Sequence, residues 1–196
     1  MIGTHMWTLP NLLSLFRIAI IPVLVYLLTF TDPFYSALAA MLFLVASVTD
    51  YFDGYLARRT QAVSDLGKIL DPLADKLIIV AVLIMLAAMD RPGGGVVPGW
   101  LVVVIVGRET AVTILRGIAL KDGIVIEAEV LGKYKFILQA SAVFGLVLHY
   151  PYFGIDFYVA GMYFLVIATV IALWSAVNYH VDFFRSIHLR SSPGRA

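Results

Sequence analysis

The stretch "VTDYFDGYLARRTQAVSDLGKILDPLADK", from Val48 to Lys76, separates two of the most apolar parts of this chain. It holds five aspartates, two glycines and two arginines, although charged residues make up only 14% of the sequence. Apolar segments of the length that crosses a bilayer lie on both sides of it. Ionisable residues within membrane segments are costly and usually have a function. The stretch therefore bears on both the architecture and the chemistry.

The composition of the 196 residues is typical of integral membrane proteins. Hydrophobic residues make up 61% of the chain and the mean hydropathy is +0.93, whereas a soluble domain is about half apolar and about a quarter charged. The formal net charge of +1 gives no overall field to attract nucleic acid, so we expect no nucleic-acid partner. The absence of cysteine excludes disulfides, thiolate metal sites and a cysteine nucleophile.

Six segments approach the roughly 20 apolar residues that a spanning helix needs. Turn residues separate them, no strand pattern competes, and backbone groups in lipid must bond within their own segment. The sequence predicts an all-α integral membrane protein with six transmembrane helices, at about Leu9 to Phe30, Pro33 to Ala57, Leu66 to Met89, Val97 to Leu120, Val130 to Tyr150 and Ile155 to Phe183.

Domain boundaries and orientation follow from the ends of the chain and from its charges. We expect residues 1–6, "MIGTHM", to be a cloning remnant, residues 7–184 to be one six-helix membrane catalytic domain, and residues 185–196 to be a disordered tail. With the N-terminus inside, Lys and Arg cluster at the loops after the second and fourth helices and in the tail, and only Arg91 lies in a loop on the other side. This asymmetry places the aspartates and the tail at the cytoplasmic face.

Four of the aspartates have a spacing that suits a metal site. Asp50 and Asp53 are three residues apart near the end of the second helix, and Asp71 and Asp75 are four apart near the start of the third. Such pairs share a helix face, and a short connection makes the two helices antiparallel neighbours. Oxygen ligands suit Mg²⁺, Mn²⁺ or Ca²⁺. Four carboxylates can hold two ions about 3.5–4 Å apart for a displacement at phosphorus.

Two glycines and an arginine fit the same site. Gly54 follows Asp53 and Gly67 lies one turn before Asp71, where a glycine lets a ligand come close to the backbone. Arg58 lies one turn beyond Gly54, and its planar guanidinium can pair with phosphate. A single aspartate here would only cap or solvate a helix end, but four at these spacings favour a metal site.

The full pattern is Asp50-x2-Asp53-Gly54-x2-Ala57-Arg58-x8-Gly67-x3-Asp71-x3-Asp75. It resembles the complete signature of the CDP-alcohol phosphotransferase family, in which an alcohol attacks the phosphorus of a CDP-linked lipid or alcohol and CMP leaves. The resemblance implies the CDP-alcohol phosphotransferase fold with six transmembrane helices. It also implies two bound divalent ions (Mg²⁺ or Mn²⁺), a homodimer and an active site at the cytoplasmic face of the membrane.

The resemblance also implies a role for each residue of the pattern. Asp50, Asp53 and Asp71 would be metal ligands, and Asp75 would be both a metal ligand and the general base. The CDP pocket would be lined by Gly54, Ala57, Arg58 and Gly67. A carboxylate can accept the proton of the alcohol, and no histidine lies near the motif to compete as the base.

Three further stretches bear on the acceptor: "LPNLLSLFR" (Leu9 to Arg17), "GRETAVTILRG" (Gly107 to Gly117) and "GKYK" (Gly132 to Lys135). Together they resemble the bacterial phosphatidylglycerophosphate synthases, which join CDP-diacylglycerol to sn-glycerol 3-phosphate. That resemblance runs from Leu9 to about Tyr179 and implies a bacterial inner membrane as the location. Inositol phosphate, inositol or serine stay open as alternative acceptors.

A set of basic residues suits the phosphate of such an acceptor. Arg108 lies inside an apolar helix, Arg116 lies eight residues on near the same face, and Lys133 and Lys135 enter from the next helix. Two other interpretations stay open. Arg108 can pair with a carboxylate and hold helices together, and the lysines can anchor the helix at the headgroups.

A polar stripe on the first helix has two interpretations. Asn11, Ser14 and Arg17 share one face at three-residue spacing. They can close over the nucleotide and bind CDP, or they can form the wet face of an interfacial helix.

A divalent-cation transporter is the alternative from another class. The carboxylates lie at one membrane interface, whereas transporter sites lie near the midplane, and no inverted repeat is visible. A purely structural membrane protein would leave Arg108 and the glycine spacing unexplained.

The first prediction concerns Asp71. We expect Asp71→Asn to fold normally and to lose nearly all turnover, because the amide keeps the size of the carboxylate and loses the charge that holds a cation. CMP release under saturating substrates measures this, and near-normal release would contradict the two-metal hypothesis.

Overall fold

A computed structural model describes residues 9–60, 67–90, 94–121 and 131–191 of the chain. Within these helices, the side chains of residues 50–60, 67–72 and 131–134 are among those that lie outside the description. The described residues form six helices and one short hairpin: α1 (Leu9–Leu27), α2 (Pro33–Thr60), α3 (Gly67–Ala88), α4 (Gly99–Lys121), α5 (Leu131–Leu148), β1 (Pro151–Tyr152), β2 (Ile155–Asp156) and α6 (Phe157–Ser191). The helical class and the positions of the six helices are confirmed.

The hairpin between α5 and α6 was not expected from the sequence. Strands β1 and β2 pair antiparallel around a two-residue turn, Phe153 and Gly154, which have φ angles of 54° and 77°. Positive φ at both central residues is typical of the type I′ turn that joins adjacent antiparallel strands. Strands of two residues are too short for an alternating apolar pattern to appear in the sequence.

Two of the helices are capped at their N-termini by aspartates that precede them. The carboxylate of Asp32 accepts a hydrogen bond from the backbone N–H of Phe34 at 2.8 Å. The carboxylate of Asp156 accepts hydrogen bonds from the N–H groups of Tyr158 and Val159 at 3.0 and 3.2 Å. Both aspartates satisfy N–H groups that have no partner within a helix, which is why α2 and α6 begin where they do.

The core is formed by contacts between pairs of helices. Helix α1 packs against both α2 and α3, α5 packs against α2 and α6, and α4 packs against α3 and α6. The side chains of Leu24, Phe43, Leu83, Leu146 and Leu165 are fully buried at these contacts. Helices α1 and α5 therefore hold the two helices that carry the aspartate motif.

A pair of glycines sets the close approach of α5 and α6. A β-carbon added to Gly161 would lie 2.8 Å from the backbone nitrogen of Leu146 and 3.0 Å from the carbonyl oxygen of Ala142. A β-carbon added to Gly145 would lie 3.2 Å from the α-carbon of Gly161. The two backbones can touch only because neither residue has a side chain.

Hydrogen bonds tie the loops together at the end of the bundle remote from the aspartates. The hydroxyl groups of Tyr150 and Tyr152 donate to the carbonyl oxygens of Thr31 and Pro33 at 2.8 and 2.7 Å. Buried Ser36 donates to the carbonyl oxygen of Val147. These bonds fix the α1–α2 turn against the end of α5.

One helix among the described residues is long and apolar enough to cross a membrane by length and composition. It is Phe157–Ile187 within α6, with a mean hydropathy of 2.1, and most of its surface is exposed. Shorter apolar runs occupy parts of α1, α2 and α5. Charged residues interrupt the apolar runs of α2, α3 and α4, so these helices fall short of roughly 20 continuous apolar residues.

The sixth helix extends beyond its predicted end. It continues to Ser191, seven residues into the segment predicted as a disordered tail. Residues 185–191 contain neither proline nor glycine, whereas Pro193 and Gly194 follow after one further residue. The residue before a proline disfavours the helical conformation, so the helix has to end near this point. Residues 192–196, like residues 1–8, lie outside the described part of the chain.

The glycine contact generates the second prediction. We expect Gly161→Ala to destabilise the protein by about 1–3 kcal/mol, since the added methyl group overlaps backbone atoms that cannot move aside. Gly117→Ala is the matched control, because a β-carbon there meets nothing within 4 Å and alanine favours the helix. Thermal unfolding in detergent measures both. A Gly161→Ala variant that melts at or above the native temperature would contradict the close packing.

Candidate active site

The aspartate motif lies on the end of α2 and the beginning of α3. Asp50 and Asp53 are in the last three turns of α2, and Asp71 and Asp75 are in the first turns of α3. Of these four side chains, the structure describes that of Asp75. The side chains of Asp50, Asp53 and Asp71, together with those of Gly54, Ala57, Arg58 and Gly67, lie outside the described part, so the convergence of four carboxylates stays a prediction.

Asp75 forms an ion pair with an arginine of α1. The guanidinium Nη1 of Arg17 donates a hydrogen bond to Oδ1 of Asp75. The side chain of Arg17 is 2% exposed, whereas that of Asp75 is 29% exposed. A buried guanidinium needs a charged partner, and the more open position of Asp75 leaves its carboxylate accessible from a cleft.

This cleft lies between four helices. A small cavity next to Asp75 is lined by Arg17 of α1, Ala46 and Ser47 of α2, and Ala140 of α5, with Ile78 and Ile79 of α3. Ser47 lies one turn before Asp50 on α2. The described ends of the two motif helices therefore border one space, with α1 forming its wall.

The polar stripe of α1 faces into the protein. Asn11, Ser14 and Arg17 are each exposed by no more than 1%, and each has an interaction partner. The interpretation of this stripe as the wet face of an interfacial helix is wrong, because the face packs against other helices. The stripe instead contributes buried polar groups beside the aspartate helix α3.

A partly buried cluster of charges connects α4, α5 and α6. Glu109 pairs with Arg108 at 2.9 Å and with Lys135 of α5. The Nε of Arg108 donates to the carbonyl oxygen of Ala172 in α6 at 2.8 Å. The side chains of Arg108 and Lys135 are 10% and 13% exposed. Lys135 therefore does not extend to the lipid headgroups. Arg108 pairs with a carboxylate and links α4 to α6, which agrees with the interpretation that it holds helices together.

Arg116 occupies a different environment on the same helix. Its side chain is exposed, and its guanidinium carbon lies 5.6 Å from the ring centre of Tyr179 in α6. The side chain of Lys133 lies outside the description. Arg116 is thus not brought into the ion-pair cluster with Arg108 and Lys135.

Lys76 is a basic residue that the sequence interpretation did not assign to the site. Its ammonium group donates a hydrogen bond to the hydroxyl of Thr113 on α4. Lys76 also interacts electrostatically with Glu109, Arg116 and Arg108. The sequence feature that could have identified Lys76 is its position directly after Asp75. Consecutive helical residues point in directions about 100° apart, so a residue next to Asp75 can face a neighbouring helix.

The donor set is compatible with a hard divalent cation. Among the side chains that the structure describes, no group of three His, Cys, Asp or Glu residues could hold a metal ion. Asp75 supplies a partly exposed carboxylate at the cleft. The backbone of Asp71 lies about one turn before Asp75 on α3, and those of Asp50 and Asp53 lie within two turns after Ser47 on α2. Oxygen donors alone are the set that Mg²⁺ and Mn²⁺ prefer.

A comparison with known protein families bears on the whole helical domain. The family model described as CDP-alcohol phosphatidyltransferase matches residues 7–176. The chain belongs to this family. The match covers all six helices at least in part, and it confirms the family that the aspartate motif indicated.

Several bacterial proteins are similar to this chain over most of its length. The CDP-diacylglycerol–glycerol-3-phosphate 3-phosphatidyltransferase of Bacillus subtilis is 40% identical over 189 residues, which cover 90% of this chain and 91% of that protein. The protein of the same name from Rickettsia bellii is 40% identical over 140 residues, or 71% and 75% of the two chains. A probable phosphatidylglycerophosphate synthase of Mycobacterium tuberculosis is 35% identical over 182 residues, or 91% and 83%.

The ion-pair cluster generates the third prediction. We expect Glu109→Gln to destabilise the protein by about 1–3 kcal/mol, because it leaves two partly buried cations without their shared carboxylate. The double variant Glu109→Gln/Lys135→Met should lose less than the sum of the two single variants, since the paired groups are coupled. Unfolding in detergent micelles measures the cycle.

Arg185→Met is the control for removal of a charge, because Arg185 is exposed on α6 and should change stability by no more than about 0.5 kcal/mol. Additive effects of Glu109→Gln and Lys135→Met would show that the two side chains do not depend on each other.

Proposed function

We propose that this protein is an integral membrane phosphatidyltransferase. It transfers the phosphatidyl group of CDP-diacylglycerol to sn-glycerol 3-phosphate and releases CMP. The observation that carries the proposal is the position of Asp75, the last residue of a complete family motif, in a cleft between α1, α2, α3 and α5. The relatives that are 31–40% identical over most of the chain are named for this reaction, which supports glycerol 3-phosphate over the other acceptors.

The reaction is a displacement at the phosphorus that carries the diacylglycerol. The hydroxyl oxygen of the acceptor forms a new bond to this phosphorus, and the bond to the bridging oxygen of the pyrophosphate breaks. CMP leaves with the bridging oxygen and its electron pair, and the hydroxyl proton passes to Asp75. Arg17 holds one oxygen of that carboxylate, so the other can be directed towards the acceptor.

Asp50, Asp53, Asp71 and Asp75 would hold two divalent ions, Mg²⁺ or Mn²⁺. Such ions neutralise the charge of a pyrophosphate and stabilise the leaving group. Gly54, Ala57, Arg58 and Gly67 would line the CDP pocket, and Asn11, Ser14 and Arg17 would close it from α1. The burial of these three α1 residues next to α3 supports their place in the wall of the pocket.

The phosphate of the acceptor binds on the α4 side of Asp75. Arg116 is exposed there, and Lys76 bridges from α3 to Thr113 of α4. Arg108 and Lys135 lie near Lys76, and Glu109 compensates one of their charges. Lys133 would add a further positive charge. The excess positive charge favours a phosphorylated acceptor over inositol or serine. Arg108 and Lys135 can contribute only by sharing their hydrogen bonds between Glu109 and the phosphate.

The protein lies in the bacterial inner membrane with six membrane-spanning helices and its active site facing the cytoplasm. Large apolar side chains are exposed on every helix, among them Tyr26, Met41, Ile84, Val103 and Trp174. A soluble protein rarely exposes so much contiguous apolar surface. The distribution of Lys and Arg supports the cytoplasmic orientation, and a homodimer is the expected assembly.

CMP release with different acceptors tests the proposed function. Detergent-solubilised protein is incubated with CDP-diacylglycerol, Mg²⁺ and either glycerol 3-phosphate, inositol phosphate, inositol or serine. We expect rapid CMP release with glycerol 3-phosphate alone. Faster release with another acceptor would overturn the acceptor assignment, and metal uptake into proteoliposomes without CMP release would favour the transporter.

The fourth prediction concerns Arg116. Charge-assisted hydrogen bonds are worth roughly 1.5–3 kcal/mol, so Arg116→Ala should raise the KM for glycerol 3-phosphate roughly ten- to hundredfold. The KM for CDP-diacylglycerol should change little, because its pyrophosphate is assigned to the aspartates and Arg58. Arg185→Ala, which removes an exposed arginine of α6, is the control. If Arg116→Ala and Lys135→Ala both leave the KM for glycerol 3-phosphate unchanged, these residues do not bind the phosphate of the acceptor.

A further inference from the structure

A small cavity lies next to the partly buried cluster of charges. Its volume is about 10 Å³, which is room for about one group of the size of a water molecule. Arg108, Glu109 and Lys135 line it together with Gln139 and Thr169. Gln139 follows Lys135 by about one turn of α5, so the cavity extends from the charges further into the bundle.

The amide group of Gln139 has no hydrogen-bond partner within the described part of the chain. The residue is 7% exposed. A side-chain amide has two N–H bonds and a carbonyl oxygen to satisfy, and burying them without hydrogen bonds is unfavourable. A methionine has a similar length and would pack at this position without that penalty. The amide therefore points to a ligand that enters the cavity.

The groups around the cavity favour a hydroxyl group as that ligand. The hydroxyl of Thr169 donates its proton to the carbonyl oxygen of Leu165 at 2.7 Å, so Thr169 can only accept a hydrogen bond from a ligand. The carboxylate of Glu109 also only accepts, whereas Gln139 both donates and accepts. A hydroxyl group can donate to one of these neighbours and accept from another. An ionised phosphate oxygen only accepts, and the carboxylate of Glu109 would repel it.

The position of Gln139 on α5 relates the cavity to the reaction. Ala140, its neighbour in the chain, lines the separate cavity beside Asp75. Lys135 belongs to the cations assigned to the acceptor phosphate, and residues four apart on a helix have β-carbons roughly 5–6 Å apart. Gln139 thus lies between a residue assigned to the phosphate and the cavity of the base.

Glycerol 3-phosphate has its functional groups in the same order. Its phosphate is on one terminal carbon, its primary hydroxyl is on the other, and its secondary hydroxyl is on the carbon between them. The primary hydroxyl is the less hindered nucleophile and is the one that reaches Asp75. The secondary hydroxyl then does not react, and it lies where the amide of Gln139 can bind it.

We propose that Gln139 is a specificity-determining residue, whose amide binds the secondary hydroxyl of glycerol 3-phosphate in this cavity. The proposal rests on the proposed function and names a second group of the acceptor that the protein recognises besides its phosphate. A site that hydrogen-bonds a substrate hydroxyl rejects an analogue without it, because the polar groups of the site are then left unpaired.

An acceptor without the secondary hydroxyl tests the proposal. Propane-1,3-diol monophosphate keeps the phosphate and the primary hydroxyl, and CMP release is measured with it and with glycerol 3-phosphate. We expect the native protein to have a kcat/KM roughly ten- to hundredfold higher for glycerol 3-phosphate. Gln139→Met should lower the kcat/KM for glycerol 3-phosphate by that factor and change the value for the analogue little.

Thermal unfolding without substrates separates this role from a structural one. Gln139→Met should melt at or above the native temperature, because it removes a buried amide that has no partner in the ligand-free protein. Ile137→Met is the control, since it introduces the same side chain at an exposed position of α5, and it should leave the preference between the two acceptors unchanged.

Several results would overturn the proposal. One is a native protein with equal kcat/KM values for the two acceptors. Another is an equal loss for both acceptors in Gln139→Met, or equal effects of Gln139→Met and Ile137→Met. A Gln139→Met protein that melts at a lower temperature or fails to fold would mean that the amide binds water or protein groups in the ligand-free state. A native protein that releases no CMP with either acceptor would instead contradict the proposed function itself.

Discussion

The ion pair between Arg17 and Asp75 constrains how the helices of this protein can pack. A guanidinium buried to this degree is strongly unfavourable without a charged partner, and its partner is on a helix 58 positions further along the chain. Helix α1 must therefore present its polar stripe to α3 while its apolar face packs against α2. This places the wall of the cleft, the last aspartate of the motif and the end of α2 around one space.

The same constraint explains why the site lies at one end of the bundle. Carboxylates and cations interrupt the apolar runs of α2, α3 and α4 near that end, whereas α6 carries no motif residue and keeps an uninterrupted run. At the other end the chain is fixed by tyrosine and serine hydrogen bonds to backbone carbonyl groups, without any ion pair among the described residues there. The charges are thus concentrated where the chemistry needs them, and apolar packing with backbone hydrogen bonds holds the rest.

The helices and the family could be predicted from the sequence because both are encoded locally. Helix positions follow from apolar segments separated by turn residues, and the eight motif residues lie within 26 positions. Contacts between distant segments could not be predicted in this way. A polar stripe on α1 looks the same whether water or another helix covers it, and only the packing of α3 decides that it is buried. The pairing of Glu109 with Lys135 likewise depends on how α4 and α5 meet, and the hairpin before α6 is too short to leave a pattern. Lys76 was missed because a lysine next to a motif aspartate resembles any basic residue at a membrane surface.

Tracing the acceptor oxygen tests the central claim, which is that the hydroxyl oxygen of the acceptor forms the new bond to phosphorus and CMP leaves. Native protein is given CDP-diacylglycerol and glycerol 3-phosphate whose attacking hydroxyl carries a heavy oxygen isotope, and both products are analysed by mass spectrometry. The account predicts that the phospholipid product retains the heavy oxygen in its new phosphodiester and that CMP contains none. Phospholipid without the label, or phosphatidic acid formed by attack of water in place of the acceptor, would contradict it.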